Sequence, residues 1–240
     1  MLLSSKVALV TGASKGLGRA ISLAYAREGV SIVGCSRNAA DLREAERELS
    51  GITSLYLLLP ADVSKPEDVK RLIDEALTRF QRIDILVNNA SILGPRVEIV
   101  EYPEEAWLEV MEVNLFGAYL VSKRVSQVMM EQKSGSIINV SSSVGRRGRA
   151  RWGAYAVSKF GLEGLTQVLA DELKPYNARV NSVHPGAMAT QMRHEAYPEE
   201  DQSKLKKPEE TLDVYLYLAS DESIGKTGGQ YDAQSFIKPS

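Results

Sequence analysis

Short apolar runs alternate along the chain with longer stretches patterned as amphipathic helices. Val7–Val10, Ser31–Cys35, Ser54–Leu59, Ile83–Asn88, Ser136–Val140 and Arg179–His184 read as strands, with a last one near Gln230–Asp232. Between them, Gly16–Glu28, Ala39–Leu49, Pro66–Arg79, Pro103–Gln132, Gly153–Leu173 and Pro208–Ala219 read as helices. Unbroken apolar runs of about four to eight residues suit strands covered on both faces. Strands separated by helices predict an α/β fold, a doubly wound parallel sheet of about seven strands with helices on both faces and right-handed crossovers. Pro66 and Pro208 sit where a first helical turn tolerates proline, and Ser64 is a candidate cap for the helix after it. No repeat, low-complexity tract or linker divides the chain, so residues 1–240 are expected to form a single domain.

In such sheets ligands gather at the carboxyl ends of the strands. Four features fall there: the glycine turn after the first strand, Asn88, Ser142, and His184-Pro185-Gly186. The turn reads Thr11-Gly12-Ala13-Ser14-Lys15-Gly16-Leu17-Gly18 and leads from a strand into a helix. Glycines permit the tight bend and close approach of backbone to a pyrophosphate, and the helix amino terminus offers free N–H groups. This is a Rossmann-type nucleotide cradle, although its spacing is G-x-x-x-G-x-G and not G-x-G-x-x-G. Tyr155 and Lys159 stand four residues apart on one predicted helix, and Ser142 lies thirteen residues before the tyrosine. Residues i and i+4 share a helix face, so the ammonium is expected beside the phenol. A nearby cation favours phenolate and lowers the tyrosine pKa from its ordinary value near ~10. Ser142 can hold a substrate oxygen while the tyrosine passes a proton; Ser141 and Ser143 flank it, and a turn-capping hydroxyl is the plainer alternative.

Together these motifs resemble the short-chain dehydrogenase/reductase family, from about residue 5 to about residue 235. Thr11-Gly12, Gly16 and Gly18 match its cofactor turn. Asp62-Val63 matches the acidic position that meets adenine, and Asn88-Asn89-Ala90 matches its N-N-A-G element, with Ser91 in place of the final glycine. Asn114, Ser142, Tyr155 and Lys159 match the catalytic tetrad, and Pro185-Gly186 with Thr190 matches the turn at the nicotinamide end. The resemblance implies a nicotinamide cofactor contacted by Gly12, Ser14, Lys15, Gly16, Leu17, Gly18, Asp62, Val63, Asn89, Ala90, Tyr155, Lys159, Pro185, Gly186 and Thr190. It implies that Tyr155 exchanges a proton with the substrate oxygen, that Lys159 lowers the tyrosine pKa and bonds the nicotinamide ribose, that Ser142 orients the carbonyl, and that Asn114 holds a water linking Lys159 to solvent. It also implies a homotetramer or homodimer paired through the Pro103–Gln132 and Tyr155-bearing helices, with Val113, Phe116, Leu120, Leu162, Leu165 and Leu169 as surplus apolar positions.

The second strand bears on which nicotinamide. An NAD enzyme of this build wants a carboxylate about 20 residues past the glycines. Here the strand ends Gly34-Cys35-Ser36-Arg37-Asn38, and no acidic residue lies between Gly29 and Ala40. Arg37, Ser36 and Lys15 can instead meet a 2′-phosphate, which resembles the NADP-preferring branch.

Composition adds exclusions. A net charge of −2, with 44% hydrophobic and 25% charged residues, is ordinary for a globular domain and argues against a nucleic-acid or membrane binder. The single cysteine, Cys35, suits a reducing compartment, Met1-Leu2-Leu3 is too short for a signal segment, and a cytoplasmic location is expected. His184 and His194 are the only histidines and show no metal-ligand spacing, so no metal is expected. Arg146-Arg147-Gly148-Arg149-Ala150-Arg151 places four arginines between Ser142 and Tyr155; the loop is solvated or salt-bridged, or else steers an anionic substrate or acidic carrier. Met188–Lys207, in the variable substrate segment, is short and polar and suggests an open site. The expected activity is NADP(H)-dependent interconversion of a ketone, a 3-oxoacyl compound among the candidates, and a secondary alcohol. The alternatives are a dinucleotide-binding regulatory protein, a sugar or polyol dehydrogenase, and a sugar-nucleotide epimerase or dehydratase; the last resembles longer chains.

Overall fold

The computed structural model describes residues 3–239; of the segment Met1-Leu2-Leu3 considered above, Met1 and Leu2 lie outside the described residues. Seven strands form one parallel sheet in the order β3-β2-β1-β4-β5-β6-β7. They are β1 Val7–Thr11, β2 Ser31–Ser36, β3 Tyr56–Pro60, β4 Ile85–Asn88, β5 Gly135–Val140, β6 Ala178–His184 and β7 Gln230–Asp232. Eight α-helices alternate with them among the described residues: α1 Gly16–Arg27, α2 Ala39–Ser50, α3 Pro66–Phe80, α4 Glu104–Met111, α5 Gly117–Gln132, α6 Gly153–Leu173, α7 Gln191–Ala196 and α8 Asp213–Ala219.

The unbroken apolar strands have a direct cause. Successive residues of a strand face opposite sides of the sheet. Ala8, Val10, Ile32, Ile85 and Val87 enter one core with Ile21 and Tyr25 of α1 and Tyr215 and Leu218 of α8. Val7, Leu9, Val33, Leu86 and Ile137 enter the other with Leu72 of α3, Val121 and Val125 of α5 and Leu169 of α6. Both faces are therefore covered, and no polar alternation survives in the central strands.

The predicted helix Pro103–Gln132 is not continuous. A π-helical turn, Glu112–Phe116, separates α4 from α5 and contains Asn114. Its wider winding shifts the angular phase of later residues, a change that helical periodicity does not reveal. Pro208–Ala219 likewise divides into a 3-10 turn, Pro208–Thr211, and α8. Ser64 does not cap α3: its hydroxyl donates to Asp62 Oδ1 at 2.8 Å, and Lys65 occupies the cap position without a side-chain bond. Of the six apolar positions expected on an outer helix face, Val113, Leu162 and Leu169 are buried within the chain, whereas Phe116 is exposed.

Strand order reverses between β1 and β4, which pair through Ala8–Ile85, Leu9–Leu86 and Val10–Val87. The connections from these two strands leave in opposite directions and open a crevice beyond their carboxyl ends. Thr11, Asn89, Ser142 and Pro185 follow β1, β4, β5 and β6 into that region, or end the strand there.

Candidate active site

The glycine turn is held from beneath by β4. Thr11 Oγ1 accepts hydrogen bonds from Asn89 N and Ala90 N, both at 3.0 Å, and Asn89 Nδ2 donates to Thr11 O at 3.0 Å and Gly12 O at 3.2 Å. Gly12 and Gly16 have φ of 67° and 51°, a region that L side chains seldom adopt. Gly18 has a different task from the predicted one. A Cβ there would lie 2.2 Å from Gly12 O, so it lets α1 close onto the turn and does not itself line the groove. The first turn of α1 carries no acidic residue, and Lys15 at its cap position makes no side-chain capping bond. No side chain therefore occupies the N–H groups at this helix start, as an anion cradle requires.

Two cavities run along the crevice, of about 250 and 360 Å³, and share Gly12, Lys15, Ala90, Ser91 and Ile92. The first gathers Ser14, Ser36, Arg37, Asp62 and Val63; the second gathers Gly16, Leu17, Asn89, Tyr155, Lys159, Pro185 and Thr190. A continuous groove with a phosphate cradle at its middle fits an extended dinucleotide. Both cations expected to meet a 2′-phosphate also meet carboxylates: Lys15 lies 2.8 Å from Asp41 and Arg37 lies 3.5 Å from Glu109. Asp41 lines the first cavity although the strand-end window held no acid, because Asn38 caps α2 and turns its first residues toward the groove.

Tyr155 and Lys159 are buried on α6. Lys159 Nζ donates to Val140 O at 2.8 Å and lies 5.6 Å from the Tyr155 ring centroid. Burial pushes the phenol up to about 12, opposed by a hydrogen bond with Ser142. Burial also pushes the Lys159 ammonium down to about 8, opposed by the charge of Glu163. The expectation of a lysine-lowered tyrosine is thus reversed within the chain itself: desolvation outweighs the hydrogen bond with Ser142. Asn114 is 1% exposed and lies behind the groove wall. Its Nδ2 donates to Ile92 O at 2.9 Å and Ser158 Oγ at 3.1 Å, while its Oδ1 accepts from Ile92 N at 2.8 Å. Both amide protons are thereby used, so a side-chain donor toward water is not left over.

A third cavity, of about 320 Å³, adjoins this centre. Ser142, Tyr155, His184, Pro185, Gly186 and Thr190 line it, with apolar wall from Leu93, Val144, Trp152, Met192 and Tyr197. Tyr155, Pro185 and Thr190 belong to this cavity and to the second section of the groove. His184 was legible in the sequence only as part of a turn. Its Nδ1 accepts from Ser143 N at 3.1 Å and Gly186 N at 3.4 Å, fastening the serine loop to the Pro185-Gly186 turn. Burial holds its pKa below the ordinary value, which favours the neutral ring that such acceptance needs.

The segment Met188–Lys207 is not an open polar loop. It carries α7, capped by Thr190, whose hydroxyl accepts from Arg193 N. The Arg96 guanidinium packs 4.5 Å from the Trp152 ring and 4.7 Å from the Tyr197 ring, which themselves meet at 6.1 Å, and it donates to Ala196 O. Arg193 also packs on the Tyr197 ring, at 4.0 Å, and is held by Glu200 at 2.5 and 2.6 Å. This stack fastens the lid to the loop after β4. Arg96 was missed because its partners lie 56 and 101 positions away in the chain. Arg146, in the arginine-rich loop, pairs with the buried Glu163 at 3.4 Å and donates to Tyr231 O at 3.1 Å. Among the described residues no three His, Cys, Asp or Glu side chains come together as a metal site, and no helix is long and apolar enough to cross a membrane.

A doubly wound parallel sheet with a glycine cradle and a buried tyrosine–lysine pair at its switch point has the architecture of a nucleotide-dependent oxidoreductase. Residues 6–201 match the family model for short chain dehydrogenases, and the chain belongs to that family. It is 38% identical over 241 residues to the uncharacterised oxidoreductase YciK of Escherichia coli K12, covering 99% of this chain and 95% of that protein. It is 37% identical to the 3-oxoacyl-[acyl-carrier-protein] reductase FabG of Thermotoga maritima, covering 95% and 96%. The crystal structure of a short chain dehydrogenase from Shigella flexneri, complexed with NADP, superposes with a TM-score of 0.91 at 37% identity, covering 97% of this chain and 98% of that one.

Proposed function

We propose that the chain works as one catalytic unit that interconverts a ketone and a secondary alcohol with NADP(H). The observation that carries this reading is the position of Tyr155, in the wall shared by the dinucleotide groove and the adjoining cavity. NADPH bound in the groove supplies the hydride, and the chain supplies orientation and the proton. A phenol held near 12 is protonated at neutral pH, so Tyr155 is set to donate to an oxygen that gains negative charge. Ser142, in the same cavity wall as the phenol and lowering its pKa, orients the carbonyl and steadies the developing charge. Lys159 keeps two protons beyond its bond to Val140 O and lines the groove, which suits ribose hydroxyls. Asn114 positions the Ile92 backbone and Ser158 behind them. Arg37, Lys15 and Ser36 form the subsite for the 2′-phosphate, a reading supported by the NADP complex of the Shigella relative.

Exposed apolar side chains on α4, the π-turn, α5 and α6, namely Leu108, Phe116, Tyr119, Val157, Phe160 and Val168, support a homo-oligomer of two or four copies. A reducing, cytoplasmic setting agrees with the one buried free thiol, Cys35. The test is NADPH oxidation over a panel of ketones, 3-oxoacyl thioesters and sugar-derived carbonyls, followed by absorbance of the reduced nicotinamide. Turnover that needs Tyr155 supports the reading; tight NADPH binding without turnover of any carbonyl would favour a dinucleotide-binding regulator.

A further inference from the structure

Six arginines surround the substrate cavity or its lid, and all but three are committed within the chain. Arg146 is held by Glu163 and Tyr231 O, Arg193 by Glu200, and Arg96 by two aromatic rings and Ala196 O. The guanidinium groups of Arg147, Arg149 and Arg151 have no ion pair or hydrogen-bonded partner among the described residues. Of those three, Arg149 alone lines the cavity that contains Ser142 and Tyr155. Among the described residues no aspartate or glutamate contributes to that wall, so no carboxylate side chain there neutralises the guanidinium. His184 in the same wall accepts two backbone protons at Nδ1, which leaves its remaining ring proton on Nε2 as a second donor.

We infer that Arg149 anchors the charged end of an anionic substrate, and that the cavity takes a small ketone bearing a carboxylate. This rests on the carbonyl-reductase reading above and narrows its substrate class. The number of cations selects the anion. One free guanidinium matches a carboxylate by a planar, two-bond contact, whereas a phosphate dianion would leave charge uncompensated beside the engaged Arg193 and Arg96. The size of the cavity, about 320 Å³, lies at the small end for ligand sites. Its lid is fastened by the Arg96 contacts, and Met192, Ala196 and Tyr197 of that lid form part of the cavity wall. Leu93, Val144 and Trp152 supply apolar surface for the carbon skeleton between the carboxylate and the reacting carbonyl.

The experiment compares acids with their methyl esters, which remove the charge and add one methyl group: acetoacetate with methyl acetoacetate and laevulinate with methyl laevulinate; the longer N-acetylcysteamine thioester of acetoacetate is the third probe. NADPH-dependent turnover is measured for the wild type, Arg149→Ala, Arg149→Lys and the exposed control Arg147→Ala. The wild type is expected to prefer each acid to its ester. Arg149→Ala should raise KM for the acids about tenfold or more, the equivalent of a lost charge-assisted hydrogen bond. The esters should be unaffected, Arg149→Lys should recover part of the loss, and Arg147→Ala should match the wild type. Equal loss on acids and esters, or preference for the thioester, overturns the inference and leaves the reductase standing. No turnover of any probe by a protein that binds NADPH overturns both.

Discussion

Lys159 Nζ sits 5.6 Å from the centre of the Tyr155 ring and donates its bond to Val140 O, so the ammonium is tied to the end of β5 and not to the phenol oxygen. Burial then acts on the two groups in opposite senses, raising the phenol to about 12 and lowering the ammonium to about 8. Each shift favours the neutral form. The pair is arranged for a tyrosine that gives a proton and a lysine whose charge is sensitive to what enters the groove.

Tyr155→Phe removes the proton while leaving ring and packing in place. General acid catalysis is worth about 10²–10⁴-fold, so kcat with any accepted ketone should fall by that factor while NADPH affinity persists. Steady-state kinetics alongside a fluorescence titration of NADPH separates the two. Near-normal turnover would remove Tyr155 from its proposed role.

The buried ammonium has a cost that pH can reveal. An unfolded lysine holds its proton to its ordinary value of 10.5, whereas Lys159 in the fold holds it only to about 8. Between those values the unfolded chain binds more protons, so the contribution of Lys159 to stability rises with pH across that window. Lys159→Met should therefore be inactive yet more stable near pH 7, by roughly 3 kcal/mol at most. That advantage should shrink above about pH 8 and be nearly gone by about pH 10.5. Denaturant unfolding of both proteins at several pH values checks the trend; a gap independent of pH would mean that charge burial is not its cause.

Cofactor choice is expected to follow the cations at the end of β2. Arg37→Ala should weaken NADPH binding about ten- to a hundredfold and leave NADH binding nearly unchanged, because NADH has no 2′-phosphate. Ser36→Asp should move preference further toward NADH. Asp41→Asn should act the other way, since Asp41 holds Lys15 at 2.8 Å and would oppose a phosphate. Titration calorimetry with both nucleotides measures all three, and tighter NADH than NADPH binding by the wild type would refute the 2′-phosphate subsite.

The lid stack can be opened at one residue. Arg96→Ala removes the guanidinium that packs on both Trp152 and Tyr197, and its bond to Ala196 O. Cation–π contacts are worth about 0.5–2 kcal/mol each, so α7 and the residues after it should open more often. Hydrogen exchange over residues 191–205 should accelerate and KM should rise, with the exchange of β4 and β5 unaltered. Unchanged exchange in the lid would show that Arg96 does not fasten it.

The exposed apolar patch on α4–α6 predicts assembly. Phe160→Glu places a charge on α6, which also exposes Val157 and Val168, and should shift the mass seen by light scattering from dimer or tetramer toward monomer. A wild type that is monomeric at micromolar concentration would contradict the oligomer.

The strands, the helices and the chemistry that lies close to them in the chain are legible from residue pattern and spacing. Apolar runs such as Val7–Val10 are readable as buried strands because a parallel sheet covered on both faces leaves no polar position to break the run. The glycine turn and the Tyr155–Lys159 pair are readable because each depends on a spacing of a few residues. Tertiary structure alone decided which way burial moves Tyr155 and Lys159, since desolvation is set by everything packed around α6. It also broke the helix at Asn114, committed the side-chain protons of that residue to Ile92 and Ser158, and brought Arg96 onto both Trp152 and Tyr197. It separated Arg149 from three neighbouring arginines that look alike in sequence. The physical reason is common to all of these. Periodicity and turn chemistry are local, whereas desolvation, ion pairing and the wall of a cavity are made by residues that only the fold brings together.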